Sequence, residues 1–471
     1  MSRRRERMAS VDVAWLRMDR PTNHMMIVGL MVLAERLDMH AFKRLLTERW
    51  LRYHRFRQRV LDDVLGPVWV DQRNFDLDLH VQLTALPGRG GKRELEALVS
   101  NLASTPLDPD RPRWKFHVVE KFGRGSAIVM RMHHCYADGI AMIRVLLSLT
   151  SASREASLEP LEGQADLSAA RAAVADPSSL AWLGTLYPPA AEIIETALKQ
   201  GQSLLGSGVE LMRHPDKALE LAKHAAGLAG ELAKLALLPA DPDTSLRGSL
   251  SGHKQAAWAR PVPLARVKAL SKRLGCTVND VLMSLVAGVM GDHLRDQGKV
   301  APGLEIRASV PVNLRPATEE PTLGNRFGLV FVSLPVGELD PIERVKRVHQ
   351  HMDGLKRSYQ PVLVLTVLSA LGAAPERLHG PAVDLFSSKA SLVLSNVPGP
   401  RDPLYVAGCR IAEQMFWVPQ SGSIGIGVSI LTYTDRVHFG LIADRMLIPN
   451  PKRVVNRLPQ ALEALEAALG A

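Results

Sequence analysis

Met132-His133-His134-Cys135-Tyr136-Ala137-Asp138-Gly139 is the stretch on which the fold turns. It closes a mostly apolar run, Ser126 to Met132, and precedes a second one, Ile140 to Leu149. Side chains alternate faces along a strand. A strand over Ser126–His134 therefore sets Ile128, Met130, Met132 and His134 on one face, and Val129, Arg131 and His133 on the other. Only one of the two histidines can then point into a given pocket, and the one four residues before Asp138 is His134. Asp138 is a helix-capping acid, Gly139 has no side chain, and the apolar run that follows reads as a helix. A neutral imidazole at a strand end can take a proton from a hydroxyl or thiol near neutral pH. Asp138 could orient that ring or brace the turn through an arginine elsewhere; a plain polar turn is the alternative for all three residues. No Ser or Cys occupies a Gly-x-Ser-x-Gly elbow, and Cys135 faces away from His134 on a strand. Direct base catalysis is thus favoured over a covalent intermediate.

The chain has 471 residues, with 46% hydrophobic and 23% charged residues, an ordinary globular composition with material for a large core. Three widely spaced cysteines, Cys135, Cys276 and Cys409, form neither a zinc pattern nor a disulfide framework, which points to a reducing compartment. The net charge of +10 suits nucleic acid, anionic membranes or anionic small molecules. Only 5% of residues are aromatic and no nucleic-acid-binding motif is present, so nucleic acid is not expected as a partner. Arg3, Arg4, Arg5 and Arg7 make the N-terminus basic, but Met25–Ala34 is too short to span a bilayer and reads as a buried strand. No segment reaches about 18 uninterrupted apolar residues, so any membrane contact is expected to be peripheral.

Three parts follow along the chain. Residues 1–150 read as mixed α/β, with strands over Met25–Leu33, Pro67–Val70, Phe116–Glu120 and Ser126–His134 and helices over Asp12–Leu16, Asp38–Arg59 and Lys92–Leu102. The Asp38–Arg59 helix would carry a dense basic face, a candidate membrane face or a solvated one. Residues 151–254 begin as an Ala-, Ser- and acid-rich linker and continue as two amphipathic helices near 190–212 and 215–238, either a membrane-surface or lid element or helices packed on a neighbour. Residues 255–471 return to mixed α/β. Thr277 and Asp280 form a capping-box-like start for a helix to Leu294, which puts Asn279 in its first turn.

These landmarks together resemble the bacterial wax ester synthase/acyl-CoA:diacylglycerol acyltransferase family, one of the chloramphenicol-acetyltransferase-like, CoA-dependent acyltransferases. The resemblance covers nearly the whole chain. It rests on Asp12-x-x-Trp15-Leu16, on Pro106-Leu107-Asp108 through Pro112-Arg113-Trp114, and on His133 to Gly139. It rests further on Asn279-Asp280, Pro311-Val312-Asn313-Leu314-Arg315, Leu323-Gly324-Asn325 and Ser395-Asn396-Val397-Pro398-Gly399-Pro400. The chain departs from the family pattern at Arg113, Lys115, Thr432 and Asn450. The resemblance implies an α/β fold of two chloramphenicol-acetyltransferase-like sandwich domains, mixed sheets covered by helices, joined by a helical linker. It implies an O-acyltransferase that moves a long-chain acyl group from acyl-CoA to a fatty alcohol or diacylglycerol, with His134 as general base and no acyl-enzyme. His133, Asp138 and Asn279 complete the expected catalytic set. Gly139, Asp280, Pro106, Leu107, Trp114, Arg315 and Asn325 are expected in binding or structural roles, with Arg315 bracing Asp138. Neither a metal nor a cofactor beyond the acyl-CoA substrate is expected. The implied setting is the cytoplasm, at the inner face of an anionic membrane or on lipid inclusions, with the oligomeric state left open. Three other readings remain: an acyltransferase or condensation enzyme fed by a carrier protein, a non-catalytic lipid-binding protein of the same fold, and an enzyme that acetylates a small soluble hydroxyl compound.

Overall fold

The structure, a computed structural model, describes residues 5–64, 66–160, 237–298, 300–314, 323–355 and 360–470. The two amphipathic helices expected near 190–212 and 215–238, and Arg315, lie outside the described residues apart from the last two positions of the second helix. In the first part the strands are β1 (Arg5–Arg7), β2 (Met26–Leu33), β3 (Gln58–Asp63), β4 (Gly66–Asp71), β5 (Val81–Thr84), β6 (Trp114–Phe122) and β7 (Gly125–His133). The helices there are α1 (Ser10–Arg17), α2 (Met39–Leu45), α3 (Lys92–Ser104) and α4 (Gly139–Ser148). The later part supplies β8 (Lys254–Trp258), β9 (Val262–Pro263), β10 (Ile306–Asn313), β11 (Phe327–Leu334) and β12 (Leu392–Pro398). It also supplies β13 (Tyr405–Val406), β14 (Cys409–Trp417), β15 (Ile426–Tyr433) and β16 (Arg436–Asp444). Its helices include α5 (Leu264–Leu274), α6 (Val278–Arg295), α7 (Pro341–Leu355), α8 (Gln360–Ala373) and α9 (His379–Ser387).

Two mixed sheets organise the molecule. The first has the order β13-β14-β2-β7-β6-β5 and the second β11-β10-β12-β15-β16-β8, with β9 also on β16. Every residue of β7 is buried, as expected for a strand covered on both faces. The alternation read from sequence is realised. Ile128, Met130 and Met132 belong to one core cluster with Trp15 and Met142, while Val129 joins Leu95, Val99, Trp258 and Trp417 on the other side. Arg131 on that second side donates to the Leu102 and Thr105 carbonyls at 2.9 and 2.8 Å, closing the C-terminal end of α3.

Three differences from the sequence reading matter. First, β14 belongs to the later part of the chain yet pairs antiparallel with β2, Trp417 opposite Val28 and Ile411 opposite Leu33. The first sheet is therefore built from both parts. Second, α8 buries Leu363, Val364, Leu368 and Leu371 although no periodic signal announced it. Third, the chain from Asp38 to Arg59 is not one helix. It passes from α2 into a π-helical turn (Leu46–Trp50) and a 3₁₀ turn (His54–Arg57), then enters β3. The turn lets Trp50 and Phe56 stack at 4.0 Å inside the core. One of its arginines is drawn inward while Arg44, Arg52 and Arg57 stay exposed: Arg49 is buried and donates to Thr150 O, Ser151 Oγ and Ala156 O. Arg55 pairs with Glu6 at 2.6 Å and lies 4.4 Å above the Trp69 ring. A single basic helical face is therefore absent here. Among the described residues no single helix is long and apolar enough to cross a membrane.

Candidate active site

β7 ends at His133, so His134 is the first residue beyond the strand. Its N–H donates to Met25 O at 2.7 Å, which ties it to the start of β2. Its imidazole stacks on Trp15 of α1 at 4.4 Å and 26° and meets Phe327 of β11 at 5.5 Å. The ring is thus held between one aromatic from each part of the chain. Burial pushes its pKa down to about 4, with the negative charge of Asp138 partly opposing the shift. At neutral pH His134 is an unprotonated base.

Asp138 does two jobs. One carboxylate oxygen accepts from Ala141 N at 2.9 Å and caps α4, and the other accepts from Arg326 N at 2.9 Å. The segment Gly324-Asn325-Arg326 grips the motif along its length. Gly324 N donates to Tyr136 O at 3.1 Å and Asp138 N to Gly324 O at 3.3 Å. Gly324 holds φ +110°, a conformation open to glycine. Asn325 donates through its carboxamide to His134 O at 2.9 Å and to Asp12 Oδ1 at 2.8 Å. Burial raises the Asp12 carboxyl to about 6, although the Asn325 hydrogen bonds resist this. Asp12 and Trp15, read from sequence only as an opening motif, are therefore parts of the site.

The remaining candidates sit at different distances from His134. His133 is buried on the opposite face of β7. Trp114 packs with Trp50, Phe56 and Phe116 and donates to Phe56 O at 2.9 Å. Pro106 is exposed and Leu107 is half-buried against the α3 cluster, away from the cavity. Asp280 completes a capping box with Thr277 and accepts from His349 Nδ1 at 2.8 Å. Asn279 is buried but does not line the cavity; its side-chain oxygen accepts from Asn396 Nδ2 at 3.0 Å. Asn396 is the residue that faces the cavity, beside Ser395, Asn313 and Ser309. The sequence placed Asn396 in a motif without a role, because its partnership with Asn279 spans 117 positions. Cys135 is fully buried in the apolar core, and burial raises its thiol far above neutral pH.

His134, Asp138 and Gly139 open onto a cavity of about 880 Å³ between the two sheets. Two apolar cavities adjoin it. One, about 780 Å³, shares Ile27, Gly139 and Phe416 with it and runs between β2, β7 and α4 past Met31, Met130, Met142 and Leu146. The other, about 570 Å³, shares Trp15, Ser309, Leu329 and Ser421 and runs under α8 and α9 past Val364, Leu368 and Phe386. One neutral imidazole thus stands where two greasy arms meet.

The comparisons with known proteins bear on the same residues. Residues 8–282 match the wax ester synthase/diacylglycerol acyltransferase catalytic domain, and residues 323–466 match the WS/DGAT C-terminal domain. The probable diacylglycerol O-acyltransferase tgs1 of Mycobacterium tuberculosis (H37Rv) is 27% identical over 478 residues, covering 98% of this chain and 96% of its own. The probable diacylglycerol O-acyltransferase tgs2 of the same strain is 30% identical over 414 residues, covering 85% of this chain and 84% of its own. Among solved structures, the wax ester synthase/diacylglycerol acyltransferase from Marinobacter aquaeolei VT8 has a TM-score of 0.67 at 22% identity, over 98% of each chain. The first condensation domain of the calcium-dependent antibiotic synthetase has a TM-score of 0.60 at 15% identity, over 98% of this chain and 96% of its own. These likenesses confirm the two-sheet α/β fold. With models matching both parts of the chain and a relative at 30% identity, the chain belongs to the wax ester synthase/diacylglycerol acyltransferase family.

Proposed function

We propose that the protein transfers a long-chain acyl group from acyl-CoA to the hydroxyl of a diacylglycerol or a fatty alcohol, with His134 as the general base. The observation that carries this reading is the placement of a neutral, buried imidazole where two apolar arms join one chamber that also holds Ser309, Asn313, Ser395 and Asn396. The reaction needs two aliphatic groups to meet at one base, and the arms suit them. His134 removes the hydroxyl proton, and the oxygen attacks the thioester carbonyl. The tetrahedral intermediate collapses, the C–S bond breaks, and His134 returns its proton to the departing CoA thiolate. Asn396, held by Asn279, and Ser395 are the chamber groups suited to steady the oxyanion. The buried Cys135 thiol offers no thiolate for an acyl-enzyme, which favours direct transfer. The names of the mycobacterial relatives favour diacylglycerol over a fatty alcohol as acceptor. The net charge of +10 suits CoA phosphates and the anionic inner face of a membrane, where the apolar acceptor resides.

Mass-spectrometric detection of the ester formed from palmitoyl-CoA, with dipalmitoylglycerol or hexadecanol as acceptor, tests this. Acceptor-dependent release of CoA with matching ester is expected. No ester from either acceptor, with ester formed once the acyl group rides on a carrier protein, would assign the donor differently.

Two further results are expected. Because the base must be unprotonated and burial depresses its pKa to about 4, kcat/KM should stay level from about pH 8 to about pH 6 and fall only as pH approaches that value, well below the ordinary histidine pKa of about 6.5. An acid limb at the ordinary histidine value that persists in Asp12→Asn, which removes the neighbouring carboxyl raised to about 6, would contradict the assignment. The second concerns Gly139, which lines both the chamber and the α4 arm; a Cβ built there meets nothing within 4 Å. Gly139→Leu should therefore fold normally while its side chain blocks that arm. Product analysis with acyl-CoAs and acceptors of graded length should show one substrate restricted to shorter chains and the other unaffected. Unchanged length preference for both would remove this arm from the account.

A further inference from the structure

We propose that Asp19 is a positioning residue for His134, acting through the Met25 backbone on one side and through His133 on the other. The inference rests on the reading of His134 as the base. Asp19 follows α1, the helix that carries Trp15 against the His134 ring. One oxygen of its carboxylate accepts from Met25 N at 2.9 Å, and Met25 O in turn accepts from His134 N at 2.7 Å. A single residue, itself a wall of the catalytic chamber, therefore separates the Asp19 carboxylate from the backbone of the base.

The second path runs through the first histidine of the motif. Cys135 N donates to His133 Nδ1 at 3.2 Å, so that nitrogen carries the lone pair and the ring proton lies on Nε2. Nε2 faces the other Asp19 oxygen at 3.5 Å, an electrostatic contact without a hydrogen bond. His24 Nδ1 approaches the first oxygen at 3.4 Å. One carboxylate thus stands between two imidazoles and an amide. Burial opposes its ionisation, but the two imidazoles and the Met25 amide facing it hold it well below the ordinary carboxylate range, so it is a fixed negative charge at neutral pH.

The loop bearing Asp19 is itself pinned. Arg17 donates to Ala374 O at 3.0 Å, and Arg20 pairs with Asp384 at 2.7 Å and donates to Gly380 O at 3.2 Å. The anchors lie on the elements that wall the α8–α9 arm. Asp19 therefore transmits the placement of the later part of the chain to both residues that lead into His134. Such an arrangement gives His133 a physical role other than catalysis: it is the strut between a charged loop and the turn that starts at Cys135.

The test uses the full-length protein with palmitoyl-CoA and the better acceptor, comparing wild type, Asp19→Ala, Asp19→Asn and His134→Ala. Loss of a group that aims a base costs on the order of 10–100-fold in rate. Asp19→Ala should lower kcat by about that factor while the donor KM changes little, because the arms that grip the chains are untouched. Asp19→Asn keeps an oxygen for Met25 N–H but gives His133 a neutral partner, so its kcat should fall between the two. Wild-type kcat in both variants, or a loss in Asp19→Ala that appears wholly in KM, would overturn the proposal. If Asp19→Ala fails to fold, Asp19→Asn decides alone: a reduced kcat supports the proposal and a wild-type kcat overturns it. If the wild type forms no ester at all, the functional reading fails separately. Positioning is then read from diethyl pyrocarbonate modification of His134, followed by peptide mass spectrometry. A severalfold faster modification in Asp19→Asn than in wild type supports the clamp, and an equal rate overturns it.

Discussion

His134→Ala is expected to lower kcat by about 10²–10⁴-fold, the usual contribution of one well-placed general base. The donor KM should move little. Substrate grip is assigned to the apolar arms, whose walls at Met130, Met142, Leu368 and Phe386 do not depend on the imidazole. Stability should change modestly. The ring loses its stacking on Trp15 and its contact with Phe327, yet its Nδ1 is a buried nitrogen without a hydrogen-bond partner, so its removal also relieves a desolvated polar atom. A shift of about one degree in thermal midpoint is expected, roughly that of 1 kcal/mol in a chain of this size. Steady-state thiol release beside a melting curve checks both numbers. A variant with unchanged kcat would exclude His134 as the base, and one that unfolds would show that the ring holds the core.

The second large effect is at Asp138. Asp138→Ala removes the cap of α4, worth about 1 kcal/mol. It also strands the part-buried Arg326 N–H, which costs roughly 1–3 kcal/mol. A combined loss of roughly 2–4 kcal/mol should appear as a lower denaturation midpoint. Activity should fall as well, by about ten- to a hundredfold, on the scale expected when a reacting group shifts by about 1 Å. The reason is geometric: the Gly324-Asn325-Arg326 segment that Asp138 holds also binds the His134 carbonyl. Asp138→Asn keeps one oxygen for Ala141 N–H and should retain most of the cap while losing the Arg326 contact. If Asp138→Asn matched wild type in both stability and rate, the grip on the motif would have to lie elsewhere.

Sequence carried a good deal of this. The alternation over Ile128–His134 gave the two faces of β7, and the capping residues Asp138 and Thr277 marked the starts of α4 and α6. A positive-φ glycine, Gly275, closes α5 at Leu274, a stop signal that stands in the sequence itself. β14 was hidden for a physical reason. Its register shifts between Ile411 and Glu413, so the period-2 pattern slips and polar residues fall on both faces. α8 has no charged residue from Gln360 to Ala373, and a helix apolar on every side gives no amphipathic period to detect. Asp38–Arg59 misled because its apolar spacing continues through a π turn whose purpose is the Trp50–Phe56 stack. The site itself was half visible. His134 and Asp138 announced themselves by local spacing. Asn325 holding His134, and Asn396 standing in front of Asn279, depend on contacts 191 and 117 positions apart. The arms are less legible still, since walls such as Ile27 and Phe416 meet only through the β2–β14 pairing.

One base serving two apolar arms places a strict demand on where a bound acyl donor must lie. The most direct measurement is a crystal structure with S-hexadecyl-CoA, a thioether analogue of the acyl donor. The sulfur is expected in the chamber, within about 4 Å of the His134 ring or bridged to it by one water, near reacting distance, with the alkyl chain filling either the Met142 or the Leu368 arm and the other arm empty. An alkyl chain bound outside both arms, or a sulfur held away from His134, would contradict it.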